Sequence, residues 1–288
     1  MIYGLLAALG WGTTDFLGAV SGRRMGSLPA LAVSQLAGTC VALILFIVHG
    51  TGFSPVRGLL LFVVANGLIA MAAYALHYRA LELGPVAVVS PVGAGYAVVG
   101  FSLAVLLLDE HPGSVAIVGG LITIAGVVLV STNLPALRAG LHEKPPGLWW
   151  AVGSSIGFGV AGLLLGVIAR DSDDWVVTLL STRLALIAAL IPLVLARRRT
   201  FHRLADAGAR AYVTAAVAGL FDLLGVAAYS AGATRGYLSV VLAASAIFPM
   251  VAVALSVAFL RERLVLNQYL GVLAIVGGLL LLALAPGS

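Results

Sequence analysis

The sequence predicts an all-α integral membrane protein of ten transmembrane helices, built as two five-helix halves that enter the membrane in opposite directions. Three observations carry that prediction. Of the 288 residues, 61% are hydrophobic and 9% are charged, where a soluble domain carries about 25% charged residues. The apolar residues fall in blocks close to the roughly 20 residues that a helix needs to cross a hydrocarbon core of about 30 Å. Parts of the first half also return 152 residues later: Gly84 as Gly236, Glu110 as Glu262, Gly119 as Gly271 and Gly126 as Gly278.

The first span, 2–20, carries Trp11, Thr13, Thr14 and Asp15 within "GWGTTDFLG" and stops at Arg23-Arg24. It has no charged start and no small-residue cleavage site, so it is expected to be a mature span and not a secretion signal. Spans two and three cover 28–48 and 58–82, the latter ending in "AYALHYRALELG" with His77, Arg79 and Glu82. Spans four and five, 86–108 and 114–132, flank "LLLDEHP". The prolines and charges of 133–146, "NLPALRAGLHEKPP", mark a linker between a first repeat over 1–132 and a second over 147–288. Spans six to ten follow at 147–168, 175–196, 211–233, 237–260 and 265–285. The last two flank "AFLRERL", which sets a glutamate where "LLLDEHP" has one. An odd number of spans per repeat turns the second copy over relative to the first, the plan of many secondary transporters.

Charge orients the array. One side holds Arg23, Arg24, Arg138, Lys144, the strip Arg197–Arg210 ("RRRTFHRLADAGAR"), Arg261 and Arg263, and the other only Arg57, Arg170 and Arg235. The basic side is expected to be cytoplasmic and both termini outside, with the strip anchoring anionic lipid. One lysine against fifteen arginines fits a GC-rich bacterium, and the expected location is its inner membrane.

Composition also excludes. The net charge of +5 lies in the loops between spans, which fits topology and not nucleic-acid binding. Cys40 is the only cysteine, so an internal disulfide and a thiolate metal cluster are both ruled out. No phosphate-binding loop, H-E-x-x-H pair or cysteine-histidine cluster occurs, so neither cofactor nor metal is expected. Gly153–Gly157 satisfies G-x-S-x-G, but that motif needs a strand-turn-helix setting and here lies in a membrane helix. A serine hydrolase built on Ser155 is the alternative from another class, and the expectation is no enzyme.

The chain resembles the EamA family of the drug/metabolite transporter superfamily over its whole length in two copies. The likeness lies in "GWG…DF" of the first span and in "AIFPMVAVALSVAFLRERLVLNQYLGVLAIVGG" (Ala246–Gly278), with its Pro249 to Glu262 spacing and Gln268. The first copy, "SPVGAGYAVVGFSLAVLLLDEHP", departs by lacking a second proline near Val99. The resemblance implies export of a small metabolite, amino-acid-like or drug-like, by alternating access through a cavity between the halves. Helices three, four, eight and nine would be central, and five and ten peripheral. Uptake or lipid translocation by the same fold is the alternative.

Ionisable groups deep in a span cost of order 2.5–3.5 kcal/mol to insert, so they face a cavity or a partner. Asp15, His77, Arg183 and Asp222 are the groups in question. Trp11 shares the face of Asp15, Tyr229 that of Asp222, and Asn66 and Tyr74 that of His77. Arg183 occupies the place that Gln35 holds 148 residues earlier. Either it neutralises Asp222 or Asp15, or its guanidinium grips an anionic part of the substrate. His77 is read as a proton relay or as an interfacial residue beside Arg79 and Glu82. Two carboxylates against one arginine suggest that Asp15 or Asp222 titrates and couples export to protons. Tyr96 and Phe248, at matching places in the two copies, are candidate cavity walls, and Pro91 and Pro249 candidate hinges. The expected partners are a small-molecule substrate and the lipid bilayer, and monomer and homodimer both stand.

Overall fold

A computed structural model describes residues 2–108, 114–130, 146–198, 201, 207–234, 245 and 248–284. Among these the regular structure is helical throughout, with no strand. Residues 133–145 of the linker, half of the basic strip, Glu110 and the start of the ninth span lie outside the described residues.

In the first half α1 spans Ile2–Met25, α2 Ser27–His49, α3 Leu60–Leu83 behind a 3-10 turn at Ser54–Leu59, α4 Val86–Ala94, α5 Tyr96–Leu108 and α6 Ser114–Val130. In the second, α7 spans Leu148–Ser172, α8 Trp175–Ala196, α9 Gly208–Ala233, α10 Phe248–Leu255 and α11 Leu266–Leu284. Among the described residues, five helical segments are long and apolar enough to cross a membrane: Ser27–His49, Ser54–Leu83, Leu148–Ser172, Trp175–Ala196 and Gly208–Ala233. At 24 residues α1 has the length but not the hydropathy, because Trp11, Thr13, Thr14 and Asp15 dilute it.

The connections follow local chemistry. Gly26, at φ 92°, lets α1 reverse into α2 through a single residue. Asp174 accepts hydrogen bonds at 3.0 Å from the backbone N–H groups of Val176 and Val177, capping α8. The span read as 86–108 is divided at Gly95, which separates α4 from α5. Pro91 removes one backbone donor inside α4, so this segment breaks without a second proline near Val99. The helix of α10 runs on through a π turn at Ser256–Leu260 and stops at Arg261, which is left-handed at φ 55°.

The two halves interlock instead of packing as separate lobes. The most extensive contacts of α1 are with α9, and those of α3 with α7; α2 lies against α9 and α3 against α8. Glycines make these approaches close: a Cβ on Gly10 would stand 2.6 Å from the Phe221 carbonyl oxygen, and one on Gly225 2.5 Å from the Trp11 ring. A second seam joins α6 to α11, where a Cβ on Gly126 would meet the backbone of Ile275 at 2.7 Å.

Polarity runs inside out. Val48 is 81% exposed and Leu61 79%, while Asp15, His77, Arg183 and Asp222 are all buried. An apolar exterior around buried charge suits lipid as the outer solvent.

Candidate functional site

The interlocked helices surround a central cavity of about 130 Å³. Its walls come from α1, α3, α4, α5, α7, α8, α9 and α10; α6 and α11 supply none of its lining residues. Trp11, Asp15, Asn66, His77, Tyr96, Arg183, Asp222, Tyr229 and Phe248, singled out from sequence, all line it.

Arg183 and Asp222 form one polar cluster. Arg183 donates from Nη2 to Asp222 Oδ2 at 2.7 Å and from Nη1 to Gln35 Oε1 at 2.8 Å. Tyr74 donates its hydroxyl to Asp222 Oδ1 at 2.7 Å, and Gln35 Nε2 to Asp222 Oδ2 at 3.3 Å. Both oxygens of Asp222 are therefore occupied and both charges neutralised, the arrangement that lets a buried pair meet its desolvation cost. Glycine at 38 makes room, since a Cβ there would sit 2.9 Å from the guanidinium Nη1. Of the readings left open for Arg183, the structure selects the ion pair with Asp222, because α8 and α9 bring the two within reach while Asp15 is engaged elsewhere.

That engagement is with His77. Its Nε2 lies 2.8 Å from Asp15 Oδ1, and its Nδ1 lies 3.3 Å from Ser154 Oγ. Ser154 in turn donates to the Ala151 carbonyl at 2.8 Å. Each ring nitrogen of His77 thus faces a partner, and the tautomer decides which of them donates. Asp15 Oδ2 is buried with no hydrogen-bond partner. The interfacial reading of His77 is corrected: it is 6% exposed and turned to Asp15, while Arg79 pairs with Glu82 at 2.7 Å. The α3 face carrying Asn66, Tyr74 and His77 packs inward against α7, where Asn66 donates to the Ala161 carbonyl at 2.6 Å.

Aromatic rings close one corner of the cavity. The Trp11 ring stands nearly perpendicular to Tyr96 and to Phe248, with centroids 6.3 and 6.4 Å apart, and is tilted against Tyr229 at 5.9 Å. Tyr96 and Phe248, matching positions of the two copies, lie 6.3 Å apart.

At the end of α1 a latch joins three elements. Arg23 Nη2 donates to Glu262 Oε1 at 3.0 Å and to the Gly84 carbonyl at 2.7 Å. Glu262 also accepts from the first N–H groups of α4, Val86 at 3.1 Å and Ala87 at 2.9 Å, where a carboxylate suits a helix N-terminus. Pro91 lies inside α4 beyond this latch, and Pro249 in the first turn of α10.

Sequence reasoning left Ser154, Phe158 and Tyr78 unmarked. Repeat spacing holds a signal for the polar cluster that it did not use: Gln35 and Arg183 are 148 residues apart and bond to each other, and so are Tyr74 and Asp222. Ser155 does not line the cavity. Ser154, His77 and Asp15 stand in the order of a hydrolase triad, but Ser154 is fully buried and committed to its own helix.

These features define a class: a multi-pass membrane protein of apolar helices around a small, charged, aromatic-walled cavity. The chain belongs to the EamA-like transporter family, which it matches over residues 1–132 and 145–284. It is thus a transporter of the drug/metabolite type, whose family members are transporters and not enzymes. Among solved structures, 27 chains match it. One, described only as "Crystal structure of protein", superposes with a TM-score of 0.67 at 18% identity, covering 97% of this chain and 94% of the other. No curated protein matches the sequence.

Proposed function

We propose that this protein is a secondary active exporter of a small metabolite, working by alternating access and coupled to protons through the Asp15–His77 pair. The observation that carries the coupling is the contrast between the two carboxylates. Asp222 is fixed by Arg183, Gln35 and Tyr74, whereas Asp15 meets a side chain whose charge changes with protonation and has one oxygen free of any hydrogen bond. When the proton leaves, His77 keeps Nε2–H for Asp15, and the Ser154 hydroxyl turns from Ala151 to Nδ1. Proton and hydroxyl thus switch together.

Ten spans in two inverted repeats, 1–132 and 147–288 joined by the linker 133–146, complete this reading. Equivalent elements meet in pairs, α2 with α8 and α6 with α11, and the α1–α9 contact is answered by α7–α3. Such pairing is what a two-fold axis in the membrane plane produces. The Arg23–Glu262 latch then closes the cytoplasmic side of a bacterial inner-membrane protein with both termini outside. The test is counterflow in proteoliposomes of a substrate found by thermal-shift screening of a metabolite library, with and without a pH gradient. Asp15→Asn is expected to remove gradient dependence; an Asp15→Asn protein that keeps it sinks the coupling.

A further inference from the structure

We propose that the cavity binds a monovalent organic cation with an apolar body, a quaternary ammonium or protonated amine, between Asp15 and the corner formed by Trp11, Tyr96 and Phe248. This rests on the transport reading and names the cargo class of that same cavity.

Charge comes first. Arg183 and Asp222 cancel each other at 2.7 Å, so they offer neither sign to a ligand. Asp15 and His77 sum to zero when the histidine is an imidazolium and to minus one when it is neutral. The unbalanced charge of the described cavity is therefore negative or nothing, and an anion would find its candidate guanidinium already taken.

Hydrogen bonding agrees. A carboxylate oxygen shut away from water with no donor is costly, and Asp15 Oδ2 is such an atom at a residue only 4% exposed. An ammonium group on the cavity side of Asp15 supplies compensating charge without a bond to this closed-off oxygen. Trp11, four residues before Asp15, lies on the same helix face, and its ring meets Tyr96 and Phe248 at 86° and 84°. Perpendicular rings give a cation a π face to lie against, tryptophan being the strongest such partner, while Phe158 and Leu165 offer apolar wall to the rest of the molecule.

The two cations exclude each other. A second ring proton on His77 cancels the attraction for the cargo, and the cargo cancels the attraction for that proton. The other titratable groups on the cavity wall are Tyr74 and Tyr78 from α3, Tyr96 from α5, Arg183 from α8, and Asp222 and Tyr229 from α9, and Arg183 and Asp222 are already paired with each other.

The experiment is equilibrium dialysis of the purified full chain in detergent with radiolabelled benzyltrimethylammonium, against phenylacetate and benzyl alcohol as anionic and neutral probes. Saturable cation binding is expected, with the other two probes weaker by about tenfold or more. Asp15→Asn should weaken the cation by about tenfold or more, and Trp11→Leu should weaken the cation more than it weakens benzyl alcohol. Phenylacetate binding as tightly as the cation, no saturable cation binding, or wild-type affinity in Asp15→Asn each overturns the proposal. If Asp15→Asn does not fold, the wild-type protein decides by selectivity: phenylacetate or benzyl alcohol held as tightly as benzyltrimethylammonium overturns it. Cation binding that passes these tests, beside transport indifferent to a pH gradient, keeps the cargo class and removes only proton-driven export.

Discussion

Asp15 Oδ1 and His77 Nε2 stand 2.8 Å apart inside the bundle, and the second oxygen of Asp15 has no hydrogen-bond partner. The bond joins α1 to α3 at residues that both line the cavity. In the proposed cycle, protonation, cargo binding and helix position meet at this contact.

The other buried pair predicts stability and not coupling. Asp222→Asn leaves Arg183 buried against a neutral partner, and breaking such a pair costs about 3–5 kcal/mol. Thermal unfolding should show a large loss, much of it recovered when Arg183→Met and Asp222→Leu are combined. A single variant as stable as wild type would contradict the assignment of this pair as structural.

The α1–α9 seam should tolerate no side chain at 225. A Cβ there stands 2.5 Å from the Trp11 ring, so Gly225→Val overpacks the seam at a cost of about 1–3 kcal/mol. The displaced indole should also weaken any ligand held by the aromatic corner. Unfolding and ligand titration on the same sample test both.

The latch predicts a shift in access. Glu262→Gln keeps the shape but loses the charge that holds Arg23 and the first turn of α4. In a Cys40→Ser background, a Thr14→Cys probe on the cavity wall should react faster with an impermeant thiol reagent applied from the Arg23 side. An unchanged rate would mean that the latch does not gate that side.

Much of this was legible in the sequence, and the illegible part has a physical reason. Insertion cost marked Asp15, His77, Arg183 and Asp222, and all four line one cavity. Partner choice was not legible, because it depends on which helices cross. Distance along α3 suggested an interfacial His77, whereas packing of α3 on α1 and α7 turned it to Asp15 and Ser154. The missing proline near Val99 gave no warning of the break at Gly95. Ser154 carried no signal at all, since a serine bonded to its own helix looks the same in sequence whether or not a histidine meets it.

The central claim is that the Asp15–His77 pair gains and loses a proton as a unit. Nitrogen NMR of 15N-histidine-labelled protein, with His77 assigned by its loss in His77→Gln, reads both ring nitrogens from about pH 5 to about pH 9. The account predicts an imidazolium giving way to a neutral ring protonated on Nε2, a pattern altered in Asp15→Asn and kept in Asp222→Asn. A His77 signal that does not change across that range, or that is indifferent to Asp15→Asn, would contradict it.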